Sequence, residues 1–184
     1  MTYIVMALKS EVQAFVDKYK LQKSHLGSFS LYYDDTRKII LSGVGIKSAR
    51  EATQTLINQY DICDTDIFLN IGICAAKSSS KIGTLMDIGV VVYNGVSQGF
   101  AKNKKDIVCV DEALSEAKYD LVDMESYGFL DAVLHSPAIK NFHILKVVSD
   151  HFEPQSVTKE KTKSLIFKAI NDINKLLLST EGCQ

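Results

Sequence analysis

The chain has 184 residues and a formal net charge of −1, with 46% hydrophobic and 23% charged residues. This length suits one ordinary domain with its own core, so we expect a single domain over residues 1–184. Basic residues are spread along a nearly neutral chain, which argues against a nucleic-acid partner. No apolar run reaches the roughly 18 residues of a membrane span. The N-terminus lacks the basic region of a signal peptide, so we expect a cytoplasmic protein that does not bind membranes.

Apolar runs of strand length alternate with amphipathic segments of helix length along the chain. We predict strands near 3–7, 29–33, 38–42, 66–71, 88–93, 107–110 and 142–148, and helices over 10–20, 47–59, 124–135 and 158–178. Several of these strands are continuously apolar, which is typical of a sheet covered by helices on both faces. The pattern predicts a three-layer α/β/α fold with a mostly parallel or mixed central sheet. Ligands in such folds bind beyond the carboxyl ends of the strands.

The chain shows no pattern typical of a metal or cofactor site. Its cysteines (Cys63, Cys74, Cys109 and Cys183) lack CxxC spacing, and we interpret them as buried free thiols in a reducing compartment. The four histidines form no HxxxH or HExxH pattern, so we expect no metal. The stretch SGVGIKS at 42–48 imitates the dinucleotide fingerprint only in part, since Ser48 stands at the third glycine position. We therefore expect no cofactor.

Three acidic residues stand where strands or loops lead into the next element, and each has two interpretations. Glu11 either stabilises the first turn of a helix or acts as a general base that positions water. Glu125 begins an apolar helix, where it either interacts with the helix dipole or, once buried, needs a partner such as the hydroxyls of a ligand. Asp150 ends the apolar run FHILKVVSD, where it either forms a turn or acts as a general acid.

Six short motifs follow one another along the chain. They are ALKSE at 7–11, SGVGIKSA at 42–49, NIGICAA at 70–76, a pair of glycine elements within 81–89, VDMES at 122–126 and KVVSD at 146–150. Together, in this order, they resemble the purine nucleoside phosphorylase and nucleosidase superfamily over nearly the whole chain. The branch that looks most similar contains the methylthioadenosine/S-adenosylhomocysteine nucleosidases and relatives such as futalosine hydrolase. The resemblance implies a phosphorylase/hydrolase-like fold, a purine nucleoside as the small-molecule partner, and a homodimer.

The resemblance also implies roles for individual residues. Asp150 matches the aspartate that protonates the purine, usually at N7, and Ser149 matches the residue that places it. Glu11 matches the glutamate that activates the attacking water. Glu125 matches a glutamate that binds the ribose hydroxyls, and Met124 matches a methionine that packs on the sugar. Three residues of the glycine motifs are expected to contact substrate as well: Val44, Gly72 and Ile73. Asp123 is interpreted as a surface or cap residue.

Phosphate recognition separates phosphorylases from hydrolases of this kind. A phosphate dianion is usually bound by arginine and by backbone N–H groups. The family phosphorylases carry an arginine ahead of the second glycine motif and a serine within it, whereas this chain reads LNIGI at 69–73. Its two arginines are Arg37 and Arg50, and Arg50 is interpreted as a surface residue. We therefore favour an N-ribosyl hydrolase acting on a purine nucleoside or a 5′-substituted adenosine.

Two alternatives stay open: a phosphate-dependent purine nucleoside phosphorylase, and a catalytically degenerate nucleoside-binding protein. Three departures from the resemblance bear on the second. Lys146 replaces an arginine, Ile73 replaces a small polar residue, and the region 94–121 is shorter than in typical relatives. That region supplies an aromatic residue that stacks on the base in relatives, and Tyr93 and Phe100 are the candidates here.

Overall fold

The computed structural model describes residues 1–181, so Cys183 lies outside the described residues. Its ten strands are β1 (Thr2–Met6), β2 (Gln22–Leu26), β3 (Phe29–Tyr33), β4 (Arg37–Leu41), β5 (Ile67–Ala76), β6 (Leu85–Tyr93), β7 (Val96–Gly99), β8 (Lys105–Cys109), β9 (Leu121–Asp123) and β10 (Asn141–Asp150). Its helices are α1 (Lys9–Tyr19), α2 (Ile46–Gln59), α3 (Ser126–Leu134) and α4 (Lys159–Glu181), with a 3-10 turn at Pro154–Ser156. The predicted alternation of strands and helices is therefore confirmed.

Helices cover both faces of one mixed sheet, which confirms the three-layer α/β/α fold. On one face, α1 and α4 pack on the sheet around Phe15, Leu145 and Ile170. On the other face, α2 and α3 pack around Leu56 and Phe129. The central strands are apolar on both sides because each of their faces meets a helix layer.

The topology brings the carboxyl ends of four strands to one edge of the sheet. Strand β1 pairs in parallel with β4 and with β5, and β5 pairs in parallel with β10. Five strands also close into a ring, because β10 pairs with β6, β6 with β8, β8 with β9, and β9 with β5. Strands β4, β3 and β2 extend the open side of the sheet beyond β1. The segments that follow β1, β4, β5 and β10 are therefore neighbours in space.

Three short strands were not predicted, and one glycine motif was misassigned. Strands β2, β7 and β9 were missed because β2 and β7 are largely exposed and polar and β9 has only three residues. The stretch 72–76 lies beyond the strand predicted near 66–71 but belongs to β5. Its backbone stays extended because pairing with β10 continues from Gly72 opposite Lys146 to Ala75 opposite Asp150.

The cysteine interpretation is correct for two residues and wrong for one. Cys74 and Cys109 are buried free thiols, as expected from their apolar strands. Cys63 is free but exposed, because it lies in the connection between α2 and β5 rather than inside an element.

Gly128 lies where α3 approaches α2 most closely. A Cβ atom at this position would overlap the carbonyl oxygen of Ile46 and lie 3.1 Å from the backbone nitrogen of Arg50. Because both are backbone atoms of α2, we expect Gly128→Ala to lower the free energy of unfolding by about 3 kcal/mol. Thermal unfolding measured by circular dichroism tests this. Gly99→Ala is the control, since its Cβ would meet only the Val90 side chain, at 3.8 Å; equal losses in the two variants would contradict the prediction.

Candidate active site

A cleft of about 840 Å³ opens at the carboxyl edge of the sheet. This volume is in the range of small-molecule sites. Its walls come from the segments after β1, β4, β9 and β10 and from the end of β5. Seven of the predicted site residues line it: Glu11, Val44, Ile73, Met124, Glu125, Ser149 and Asp150. The fold thus gathers into one cavity residues from both ends of the chain.

Glu11 faces the cleft with its carboxylate held by three backbone N–H groups. Ala7 and Leu8 donate to Oε2 at 3.1 and 2.9 Å, and Ile73 donates to Oε1 at 3.0 Å. Since Leu8 precedes α1, Glu11 also caps this helix, so the structural interpretation of the residue holds too. The side chain is only 1% exposed. Burial raises the pKa of Glu11 to about 7, although the backbone hydrogen bonds act against the rise.

Gly72 does not line the cleft but lies behind Glu11 in β5. A Cβ atom there would lie 3.2 Å from Oε1 of Glu11 and 3.4 Å from Nζ of Lys146. The glycine therefore leaves room for these two side chains to approach each other. The expected contact between Gly72 and a substrate is replaced by this spacing role.

Glu125 also lines the cleft, at the N-cap position of α3. Its Oε1 accepts a hydrogen bond of 3.0 Å from the backbone N–H of Gly45, which belongs to the loop between β4 and α2. Gly45 has φ of 104°, a conformation that favours glycine, so the motif supplies this donor through its backbone. Burial raises the pKa of Glu125, while the charge of Lys146 opposes the rise. Met124 lines the cleft next to it.

Asp123 caps α3, which confirms its interpretation as a cap residue. It is buried, so its interpretation as a surface residue is wrong. Its carboxylate accepts hydrogen bonds from the backbone N–H and the hydroxyl of Ser126, at 2.9 and 2.5 Å. It also pairs with Lys146, whose Nζ lies 2.8 Å from Oδ2. The two side chains are 0% and 1% exposed. A lysine within an otherwise apolar central strand requires a buried acidic partner. Lys146 is therefore the residue in the sequence that indicates a buried ion pair.

Asp150 and Ser149 end β10 at a register shift, where Val148 pairs with Cys74 and Asp150 pairs with the next residue of β5. The Ser149 hydroxyl lies 2.5 Å from Oδ1 of Asp150 and 3.1 Å from the carbonyl oxygen of Cys74. The backbone N–H of Glu153 donates to Oδ2 at 2.9 Å. The Ser149 hydroxyl carries one proton, so it donates to one of these two acceptor oxygens at a time.

The two aromatic candidates for stacking on a base lie outside the cleft. The ring of Tyr93 lies 4.5 Å from that of Tyr127, and its hydroxyl donates to Asp111. Phe100 is partly buried and packs against the core, with its ring 5.2 Å from that of Phe142. The same region of the chain instead contributes aliphatic side chains to the cleft: Val110, Ala113 and Leu114.

Both arginines of the chain also lie outside the cleft. Arg37 pairs with Asp34 at 2.7 Å, and Arg50 pairs with Asp131 at 2.8 Å. Within residues 1–181, no group of three or more histidine, cysteine, aspartate or glutamate side chains is placed to hold a metal ion. Over the same residues, no helix combines the length and apolarity needed to cross a membrane.

No family model matches the sequence, and no curated protein matches it. By structure, the chain is similar to a Francisella philomiragia protein provisionally assigned as a 5′-methylthioadenosine/S-adenosylhomocysteine nucleosidase. The TM-score is 0.77, at 13% identity over 96% of this chain and 97% of that one. A 5′-methylthioadenosine nucleosidase from Arabidopsis thaliana gives a TM-score of 0.73, at 19% identity over 94% of this chain and 95% of that one. Futalosine hydrolase from Helicobacter pylori gives 0.73, at 13% identity over 97% of each chain. The chain therefore has the fold of these nucleosidases.

Proposed function

We propose that this protein is an N-ribosyl hydrolase that cleaves the N-glycosidic bond of a purine nucleoside or a 5′-substituted adenosine, as a single domain. The observation that carries the proposal is the convergence of Glu11, Glu125 and Asp150 on one cleft from three distant segments. The solved structures of this fold support it, since they bear the names of methylthioadenosine nucleosidases and of futalosine hydrolase.

Asp150 acts as the general acid. As the bond between C1′ and the base nitrogen breaks, its electron pair moves onto the purine, and the Asp150 proton is transferred to the ring, at N7. Ser149 supports this step because its hydroxyl lies 2.5 Å from Oδ1 of Asp150 and so holds the carboxyl group in place. The base then leaves as a neutral molecule, and Asp150 becomes a carboxylate.

Glu11 acts as the general base. A water molecule attacks C1′ and gives up its proton to Glu11, so that ribose gains a hydroxyl group at C1′. The side chain suits this role because its pKa of about 7 allows proton exchange near neutral pH. Its three backbone donors fix the direction of the carboxylate.

Glu125 binds the ribose. The carboxylate accepts from the ribose hydroxyls, and its negative charge stabilises the positive charge that develops on the sugar. Met124 packs on the sugar, while Val44 and Ile73 complete the apolar contact with the substrate.

Hydrolysis is favoured over phosphorolysis by the positions of the arginines. Arg37 and Arg50 pair with carboxylates away from the cleft, where neither is available to a phosphate dianion. The resemblance further supports a homodimer in the cytoplasm.

Base release from a panel of nucleosides, each with and without phosphate, tests the proposal. The panel holds methylthioadenosine, S-adenosylhomocysteine, adenosine, inosine and futalosine. We expect one base to be released at the same rate with and without phosphate. Strict phosphate dependence, with ribose-1-phosphate as product, would identify a phosphorylase. No release from any nucleoside, together with a rise in melting temperature on adding adenine, would identify a nucleoside-binding protein without catalysis.

A further inference from the structure

Lys146 is the only buried basic side chain among residues 1–181, and it lies beside the cleft. Groups from five elements face it. Asp123 in β9, Glu125 at the start of α3 and Glu11 in α1 are acidic. The thiols of Cys74 in β5 and Cys109 in β8 are the other titratable groups near it. One ammonium group is therefore shared by three buried carboxyl groups.

Asp123 fixes the position of this ammonium. Its Oδ2 lies 2.8 Å from Nζ of Lys146, while Ser126 holds the same carboxylate through two further hydrogen bonds. Asp123 also lies two residues before Glu125 and accepts from its backbone N–H at 3.3 Å. The ion pair and the sugar-binding wall of the cleft are therefore one connected unit.

The ammonium also lies near Glu11. Gly72 separates the two side chains without filling the space, since a Cβ there would contact both. Burial favours the protonated form of Glu11 and of Glu125, and the charge of Glu125 acts on Glu11 in the same direction. The positive charge of Lys146 favours the carboxylate form of both, and a buried environment of low dielectric strengthens its effect.

We propose that Lys146 is a positioning residue whose positive charge favours the carboxylate forms of Glu11 and Glu125, with Asp123 anchoring its ammonium group. This inference rests on the proposed function, in which Glu11 is the general base and Glu125 binds the ribose. Lys146 itself acts through these carboxylates and does not touch the reacting atoms.

Lys146→Gln is the variant that tests the charge, because the amide keeps a hydrogen-bond donor toward Asp123 but is neutral. Lys146→Arg is the matched control that keeps the charge. Lys146→Gln leaves Asp123 without its partner and can therefore fail to fold. In that case the double variant Asp123→Asn/Lys146→Gln is compared with Asp123→Asn. Neutralising both members of a buried ion pair is tolerated better than removing one.

The direct measurement is a carbon-13 NMR titration of the Glu11 carboxyl group, with its signal assigned by its loss in Glu11→Gln. We expect the titration midpoint to rise by roughly 1–3 pH units when the positive charge is removed. In Lys146→Arg we expect the midpoint to stay near that of the wild type. An unchanged midpoint in Lys146→Gln would overturn the inference.

The kinetic measurement is the pH profile of base release. A higher midpoint for Glu11 moves the acidic limb of the profile to higher pH. From a midpoint of about 7, activity at pH 7 then falls about 5-fold for the first pH unit of the rise and about 10-fold for each further unit. A limb that stays in place while the protein remains folded would overturn the inference as well. If the wild type releases no base from any nucleoside, the proposed hydrolase fails, but the NMR titration still decides the role of Lys146 because it needs no turnover.

Discussion

Asp150→Asn is expected to lower kcat for base release by roughly 10²–10⁴-fold, because an amide has no acidic proton to give to the departing purine. The substitution should leave the fold in place. The asparagine oxygen accepts from the backbone N–H of Glu153, as Oδ2 does now, and the amide nitrogen donates to Ser149. Ser149 then donates to the carbonyl of Cys74. The asparagine thus keeps a hydrogen bond at each of these contacts.

This equivalence makes the Asp150→Asn experiment a test of proton transfer alone. Adenine release gives kcat, and the melting temperature and the affinity for adenine report on the fold and the pocket. Asp172→Asn is the control, since Asp172 is exposed on α4 and pairs only with Lys175. A kcat of Asp150→Asn within a few-fold of the Asp172→Asn value would mean that another group protonates the base or that the base leaves as an anion.

Glu11→Gln is expected to lower kcat for base release by roughly 10²–10⁴-fold, as Asp150→Asn does, for two reasons. An amide cannot take the proton of the attacking water. It also meets the three backbone N–H groups of Ala7, Leu8 and Ile73 with only one acceptor oxygen, so its NH₂ group must face at least one of these donors. This loss of a hydrogen bond in a buried position also lowers stability by about 1–3 kcal/mol.

The pH profile of the wild type gives an independent check on Glu11. Only the carboxylate accepts a proton, and burial raises the pKa of Glu11 to about 7. Activity should therefore fall as pH decreases through about 7, and this limb should be absent from the residual activity of Glu11→Gln. Glu51→Gln, at an exposed position on α2, is the matched control. An acidic limb that persists unchanged in Glu11→Gln would assign the base to a different residue.

The sequence predicted those parts of the molecule that depend on local pattern. The apolar runs set β1, β5 and β10, and the amphipathic periods set the four helices to within a few residues. Glu11, Glu125 and Asp150 could be singled out because each follows an apolar run at the point where a chain segment leaves the core. What the pattern left open was whether they meet, since pairing of β5 with both β1 and β10 is a long-range property.

The predictions that were wrong concern contacts between residues that lie far apart in the sequence. Asp123 was interpreted from its neighbours in sequence, but its burial is decided by Lys146, which belongs to another strand. Tyr93 and Phe100 carry the ring that stacking requires, yet Tyr127 and Phe142 occupy their faces from distant segments. Side-chain partners across the sheet are set by register, and no local period in the sequence encodes them.

Strand β10 is inserted between β5 and β6 and is the last of the described strands in chain order. Until the ribosome has released residues 141–150, β5 and β6 both present open edges whose N–H and C=O groups are unpaired, next to an apolar interior. A chain that lacks residues 141–150 is thus prone to aggregation and to chaperone binding. It also lacks Asp150, the proposed general acid, because this residue ends the same strand.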